Sequence, residues 1–328
     1  MFLFVPVAIG LNYLLETFAE KRAMEVILSS FIILVLIGLG HSTFMRNFAW
    51  KNEKSLWIDA AEKSPKLSRP HHNLGKYYQD RGYDDKAIQE YHKALESPFV
   101  NRRDSLFVTY YNLGKIYAKR SDFKMAESYY DKAVNLNSHF SPLFNDMGAL
   151  FDREGKPKVA HKYLLKALKL SPQDGFANFN LGFHYLQQGM PEKALNYLTK
   201  LPESEKSFGV RLPLYLGIAF KQTGRLGMAY VFLVKSIMQS PNNINAHIHL
   251  AEVLYAAGKK ERAEKEATLT LNLIGERTHL ENIFQDLTGN GRSQNLQPDG
   301  KIILPLMREV MLKKSKVLKK WAEELLEK

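Results

Sequence analysis

Asn180-Leu181-Gly182-Phe183-His184-Tyr185-Leu186-Gln187-Gln188-Gly189-Met190-Pro191-Glu192-Lys193-Ala194 decides the fold, because its outline returns at a fixed interval along the chain. Upstream it returns as Asn73-Leu74-Gly75 with Tyr78 and Gly82, as Asn112-Leu113-Gly114 with Tyr117, and as Met147-Gly148 with Phe151 and Gly155. Downstream it returns as Leu216-Gly217 with Phe220 and Gly224, and as Leu250-Ala251 with Gly258. The small residue therefore stands at 75, 114, 148, 182, 217 and 251, a period close to 34. An alanine follows each one twelve residues later: Ala87, Ala126, Ala160, Ala194, Ala229 and Ala263.

This pattern resembles the tetratricopeptide repeat over residues 68–272. The resemblance implies an all-α solenoid of helical hairpins, about six of them, with the Leu-Gly pair and aromatic on helix A and the alanines on helix B. Physically, antiparallel helices approach closely only where both lack bulk, so Gly or Ala on helix A is expected to meet Ala on helix B. Ala94, Ala133 and Ala167 would seat helix B on the next repeat, and Pro98, Pro172 and Pro241 would end helix B. Tyr78, Tyr91, Tyr117, Tyr130 and Tyr185 read as core packing. Leu201, Ser236 and Thr270 depart from the third alanine, and Ala251 departs from Gly. Five extra residues in the first step, near Phe99 to Ser105, read as a longer inter-repeat loop. One period before the first copy, Trp57, Ala60 and Pro65 fall where helix B belongs, so residues 54–63 read as a half-repeat cap within a junction spanning 46–67.

The first 45 residues read as a membrane segment. From Phe2 to Leu15 only Asn12 is polar, and from Val26 to Gly40 only Ser29 and Ser30 are. A span needs about 20 apolar residues, which a helix over 24–45 provides. The run over 2–15 is shorter and holds Pro6 and Gly10, so it is a short span, a re-entrant piece, or a helix whose upstream half lies outside this sequence. Two N-terminal membrane helices are the expectation, with a cleaved signal peptide as the alternative. Lys21 and Arg22 lie between the runs, and Arg46, Lys51, Lys54, Lys63, Lys66 and Arg69 follow; this bias alone does not fix orientation.

Beyond Gly275 the period is lost, and residues 273–328 read as helical pieces around a Gly289-Asn290-Gly291 and Gln297-Pro298-Asp299-Gly300 loop region. Val310, Val317, Leu318, Trp321, Leu325 and Leu326 form an apolar stripe beside Lys313, Lys314, Lys316, Lys319 and Lys320. Such a helix caps the last repeat, lies on a membrane surface, or binds a partner.

The chain has 328 residues, no cysteine, and 46 Lys+Arg against 34 Asp+Glu, a net +12 that favours anionic partners without selecting one. Disulfides, thiolate catalysis and Cys-ligated metals are excluded by composition. No phosphate-binding Gly loop, His-Glu-x-x-His, nucleophile elbow or calcium loop occurs. His71 and His72 are adjacent, and His247 and His249 are two apart, so neither pair has the i,i+4 spacing of a helical metal site. No catalysis, cofactor or metal is expected, and nucleic-acid binding lacks any motif.

In tetratricopeptide proteins helix A lines the concave groove. That register implies a peptide-binding groove with Arg69, His72, Asn73 and Lys76 beside Asn112 and Lys115, then Asn145, Asp146, Asn180 and Arg211. Repeated Asn offers donors and acceptors to an extended main chain, and the cations would favour acidic side chains or a free C-terminal carboxylate. Membrane lipid would be met through residues 1–45.

A second resemblance joins the two halves. Phe2-Leu3-Phe4-Val5-Pro6, then Arg46-Asn47, Trp50, Glu53, Leu56-Trp57, Asp59, Pro65 and Asn73-Leu74-Gly75, are similar to the membrane-to-repeat junction of multi-pass mannosyltransferase-like proteins of the TMTC type and their bacterial relatives. That resemblance, over residues 1–80, implies repeats on the lumenal or periplasmic side, downstream of a GT-C glycosyltransferase domain whose catalytic acidic loop this sequence lacks. Two functions follow: a membrane-anchored scaffold binding peptide or protein segments, or the acceptor-recognition end of such a glycosyltransferase.

Overall fold

The computed structural model describes residues 4–17, 22–98, 103–202, 207–274, 296–303 and 305–313. Among the described residues every regular element is helical. The chain forms two compact units, residues 1–116 and 117–328.

The first unit opens with α1 (Phe4–Thr17) and α2 (Arg22–Ala49). Two membrane helices were expected, but among the described residues only one helix, over Val26–Asn47, is long and apolar enough to cross a bilayer. The fourteen residues of α1 rise only about 21 Å at 1.5 Å each, short of a hydrocarbon core of about 30 Å. The Val26–Asn47 stretch has a mean hydropathy of 2.1 and none of it is covered by the rest of the chain.

Only Trp50, Lys51 and Asn52 separate α2 from α3 (Glu53–Lys63). Asn52 starts α3 with a reciprocal cap: its Oδ1 accepts from the Ser55 amide at 2.9 Å while Ser55 Oγ accepts from the Asn52 amide at 3.3 Å. α3 packs on both α2 and α4 (Ser68–Asp80), and α4 pairs with α5 (Asp84–Glu96). α6 (Arg103–Lys119) follows, and the unit boundary falls inside it. The extra residues of the first step were expected as a loop near Phe99 to Ser105, but not all of them form one, and 99–102 lie outside the described residues. α6 begins eleven residues before Gly114, whereas α4 begins seven before Gly75, so the insertion is largely absorbed as an added helical turn. Neither Gly nor Pro occurs from Asn101 to Asn112 to prevent this.

In the second unit the order is α7 (Phe123–Leu136), α8 (Ser141–Arg153), α9 (Pro157–Leu170), α10 (Gly175–Gln187), α11 (Pro191–Leu198), α12 (Arg211–Gln222), α13 (Leu226–Gln239), α14 (Ile244–Ala256) and α15 (Lys260–Ile274). The hairpins are α8/α9, α10/α11, α12/α13 and α14/α15, and the A helices α8, α10, α12 and α14 also touch in succession, forming one continuous layer.

The close approach within each hairpin differs in detail from the expected Gly-to-Ala meeting. A Cβ on Gly75, Gly148, Gly182 or Gly217 would strike Tyr91, Leu164, Leu198 or Leu233, each sixteen residues on, at 2.5–2.8 Å. The alanine twelve residues on offers its backbone: the Ala160 and Ala194 carbonyls would lie 3.3 Å from the added atom. The sixth repeat keeps the volume by another route, because Ala251 replaces Gly and its partner position holds Ala267, both fully buried. Thr270 and Ser236 are equally buried, their hydroxyls bonded to the Glu266 and Val210 carbonyls. Leu201 is not a helix B residue, since α11 stops at Leu198, where Thr199 bonds back to the Leu195 carbonyl at 2.7 Å.

The turn from helix A to helix B fixes another position. Seven residues after each small residue the backbone is left-handed, at Gly82, Gly155, Gly189, Gly224 and Gly258 with φ of 70–79°, and at Ser121 with φ of 62°. The histidines also find repeat-registered roles. His71 Nδ1 lies 2.7 Å from Glu90 and its Nε2 3.1 Å from the Pro65 carbonyl, and His247 makes the same pair with Glu266 at 2.7 Å and the Pro241 carbonyl at 2.8 Å. Asn178, at the same repeat position, donates to the Pro172 carbonyl at 3.1 Å. The proline that ends one helix B thus supplies the carbonyl that ties down the next helix A.

At the far end, Ile303, Leu306, Met307 and Val310 of the helical residues 300–303 and 305–313 are buried in one apolar cluster with residues of α14 and α15. The rest of the expected C-terminal stripe, from Val317 on, lies outside the described residues.

Candidate functional site: the helix A face

In the first unit, Arg69, His72, Asn73 and Lys76 lie along α4, and Asn112 and Lys115 along α6. Arg69 and Lys115 are exposed, as is Lys76, which pairs with Asp80 at 2.9 Å. His72 is half-buried, its Nδ1 2.8 Å from Thr109 Oγ1. The one Thr109 proton goes to the Ser105 carbonyl at 2.8 Å, so His72 must donate from Nδ1. Burial, with help from the Lys76 charge, lowers the His72 pKa to about 4, so the ring is neutral. Asn112 is nearly buried and bonds the Tyr91 hydroxyl, which itself donates to Gln79 at 2.7 Å.

In the second unit, Asn180 of α10 donates to Asn145 of α8 at 2.9 Å, which joins two of the expected groove residues across adjacent repeats. Asn145 is buried, so Asn180 is the more accessible of the two. Arg211 opens α12 with its guanidinium 5.4 Å from the Phe179 ring and does not line the cavity described next.

That cavity, of about 440 Å³, was not anticipated residue by residue. Helix A residues form most of it: Asp152 and Arg153 on α8, Phe183 and Gln187 on α10, Leu214, Tyr215 and Ile218 on α12, and Asn245 and His249 on α14. Ser121 and Phe123 close one side, and Leu296 and Pro298 close another. Its polar groups are held in place. His184, buried behind the wall, holds Asp152 at 2.7 Å, and Arg153 donates to the Ala118 carbonyl at 2.8 Å and to Ser121 Oγ at 3.0 Å. Phe183 and Tyr215 pack with ring centroids 4.7 Å apart.

A buried charge cluster borders it. Glu252, 2% exposed, accepts from Lys221 at 2.6 Å and lies 2.8 Å from His249 Nδ1. Its other oxygen accepts from the Asp299 amide, and His249 also hydrogen-bonds the Leu296 backbone. The His249 and Lys221 partners outweigh burial and hold the Glu252 carboxyl at about 2, while burial and the Lys221 charge lower the His249 pKa. The arrangement is therefore an anionic carboxylate held between an imidazole and an ammonium. No group of three or more His, Cys, Asp or Glu among the described residues could hold a metal.

Stacked helical hairpins with this internal register define a tetratricopeptide repeat solenoid. Tetratricopeptide repeat models match residues 68–99 and 107–140. A chain of the APC/C hetero-tetramer Cut9–Hcn1 superposes with a TM-score of 0.57 and 17% identity, over 69% of this chain and 43% of that one. This protein thus spans less than half the length of that neighbour. PilW, a widely conserved type IV pilus biogenesis factor, superposes with a TM-score of 0.55 and 20% identity, over 66% of this chain and 97% of PilW. No curated protein matches the sequence. At these identities the likeness is one of fold.

Proposed function

We propose that this protein is a membrane-anchored, non-catalytic scaffold that holds an extended peptide or protein segment along the face formed by its A helices. The observation that carries this reading is the cavity whose wall is built by four successive A helices and whose polar groups are already fixed by neighbours. A preorganised, aromatic-containing cleft with few oriented polar groups suits a peptide held mainly by its backbone. Exposed Arg69 and Lys115 in the first unit favour acidic side chains or a terminal carboxylate. The uncovered helix over Val26–Asn47 serves as the anchor, and the three-residue step into α3 holds the repeats close to the bilayer.

The test is anisotropy binding of a library of acidic, C-terminally free peptides to the full chain in detergent micelles. Gln187→Ala with Asn245→Ala, in the cavity wall of the second unit, and separately Asn180→Ala, are expected to weaken the best binder by about tenfold or more. Unchanged affinity in both variants rejects the helix A face as the site.

A further inference from the structure

Counted from the small residue of each repeat, Asn73, Asn112 and Asn180 stand two positions before it, and Lys76 and Lys115 one position after it. In the sixth repeat those positions hold His249 and Glu252. In the structure both are already engaged with main chain: His249 with the Leu296 backbone, and Glu252 with the Asp299 amide. Pro298 is buried at the same place, and Leu296 and Pro298 form part of the cavity wall next to Tyr215, Ile218 and Asn245. Residues 296–299 thus lie on the helix A face as a short peptide held by its backbone, at the positions that face a ligand in the proposed function.

We propose that residues 296–299 are an intramolecular ligand, which occupies the α12–α14 end of the helix A face and must be displaced before a partner can use that end. This deepens the proposed function and rests on it. Leu296 packs against the core cluster, but three features make the backbone contact a latch. Glu252 and His249 gain backbone partners from a segment outside the repeat period. The helical residues that follow, with Ile303, Leu306 and Met307 buried, keep the segment tethered at high local concentration after release. Lys221, bonded to Glu252 at 2.6 Å, keeps the carboxylate paired once the Asp299 amide leaves, so opening strands no buried charge.

The absence of cysteine gives a clean probe. In the full chain, Leu296→Cys is the only thiol, and its maleimide labelling rate reports whether the segment is docked. Adding Asp299→Pro removes the amide hydrogen that Glu252 accepts; adding Asp299→Asn keeps both that hydrogen and the side-chain acceptor. Asp299→Pro is expected to accelerate labelling about tenfold and Asp299→Asn to leave it unchanged. In parallel, a fluorescent peptide carrying residues 292–303 of this chain, at up to about millimolar concentration, should bind the Asp299→Pro chain about tenfold more tightly than the native one. Equal labelling in all three chains overturns the latch and leaves the helix A reading standing. Accelerated labelling without any gain in peptide binding overturns the proposal through the helix A reading itself.

Discussion

A Cβ placed on Gly148 would lie 2.5 Å from Leu164 Cγ, a distance real side chains do not reach. The same collision is built between Gly182 and Leu198 at 2.7 Å and between Gly217 and Leu233 at 2.6 Å, so glycine here is a packing requirement set by the residue sixteen places on. We expect Gly182→Ala to lower the unfolding free energy by about 1–3 kcal/mol, the range for overpacking a filled core. Because Ala251 and Ala267 fill the same two positions in the sixth repeat, adding Leu198→Ala to Gly182→Ala should cost less than the two single changes summed. Urea denaturation followed by circular dichroism measures all three; strict additivity would show that the glycine does not answer to Leu198.

Ser121 holds a left-handed backbone, φ 62°, at the turn where five other repeats have glycine. A Cβ costs roughly 1 kcal/mol there, and the hydroxyl returns only an exposed bond from Arg153 at 3.0 Å. Ser121→Gly is therefore expected to raise stability by about 0.5–1 kcal/mol, less the added freedom of the unfolded chain. A lower melting temperature in Ser121→Gly would mean that the Arg153 contact outweighs the strain.

The helix over Val26–Asn47 leaves Ile33, Leu34, Leu36 and Ile37 more than half exposed, an arrangement water does not favour. If it is a retained anchor, the chain recovered from an alkali-washed membrane pellet has an intact mass that includes α2. Leu34→Lys with Ile37→Lys, at about 2.5–3.5 kcal/mol each near the bilayer centre, should shift it to the supernatant. Recovery of a chain cut after α2 would instead assign the segment to a signal peptide.

Much of this fold was legible because its signals are periodic. Gly75 to Ala251 and Ala87 to Ala263 mark helix positions that must be small whatever the neighbouring loops do, and the structure buries all six alanines completely. What stayed hidden depends on partners remote in sequence. Nothing local to Gly182 names Leu198 as its contact, and nothing around Arg103 distinguishes an added helical turn from a loop. The site shows the same division. Repeat register places Asn73, Asn112 and Asn180 on helix A, but only the fold shows that Asn112 bonds Tyr91 and that Asn180 bonds Asn145. His249 and Glu252 occupy the same register, so the repeat spacing alone locates them, although their chemistry differs from the Asn and Lys of the other copies.

Acid should loosen the first unit through His72. Its pKa of about 4 lies below the ordinary histidine value of 6.5, so the unfolded chain takes up a proton that the folded chain refuses. The contribution is complete above about pH 6.5 and is lost as pH falls from there toward 4. For a half-buried ring this amounts to about 1–2 kcal/mol between pH 7 and 5. His249 adds a loss of the same sign as pH falls, since burial and Lys221 lower its pKa too, while Glu252, held at about 2, costs stability only where the unfolded carboxyl takes up its proton, around pH 4.5 and below. Comparing the native chain with His72→Gln separates the two histidines: the variant should keep the His249 part and lose the His72 part, giving a shallower fall in urea midpoint between pH 7 and 5. An identical slope in both chains would mean that His72 accepts its proton in the folded state, and that the Thr109 contact does not hold it neutral.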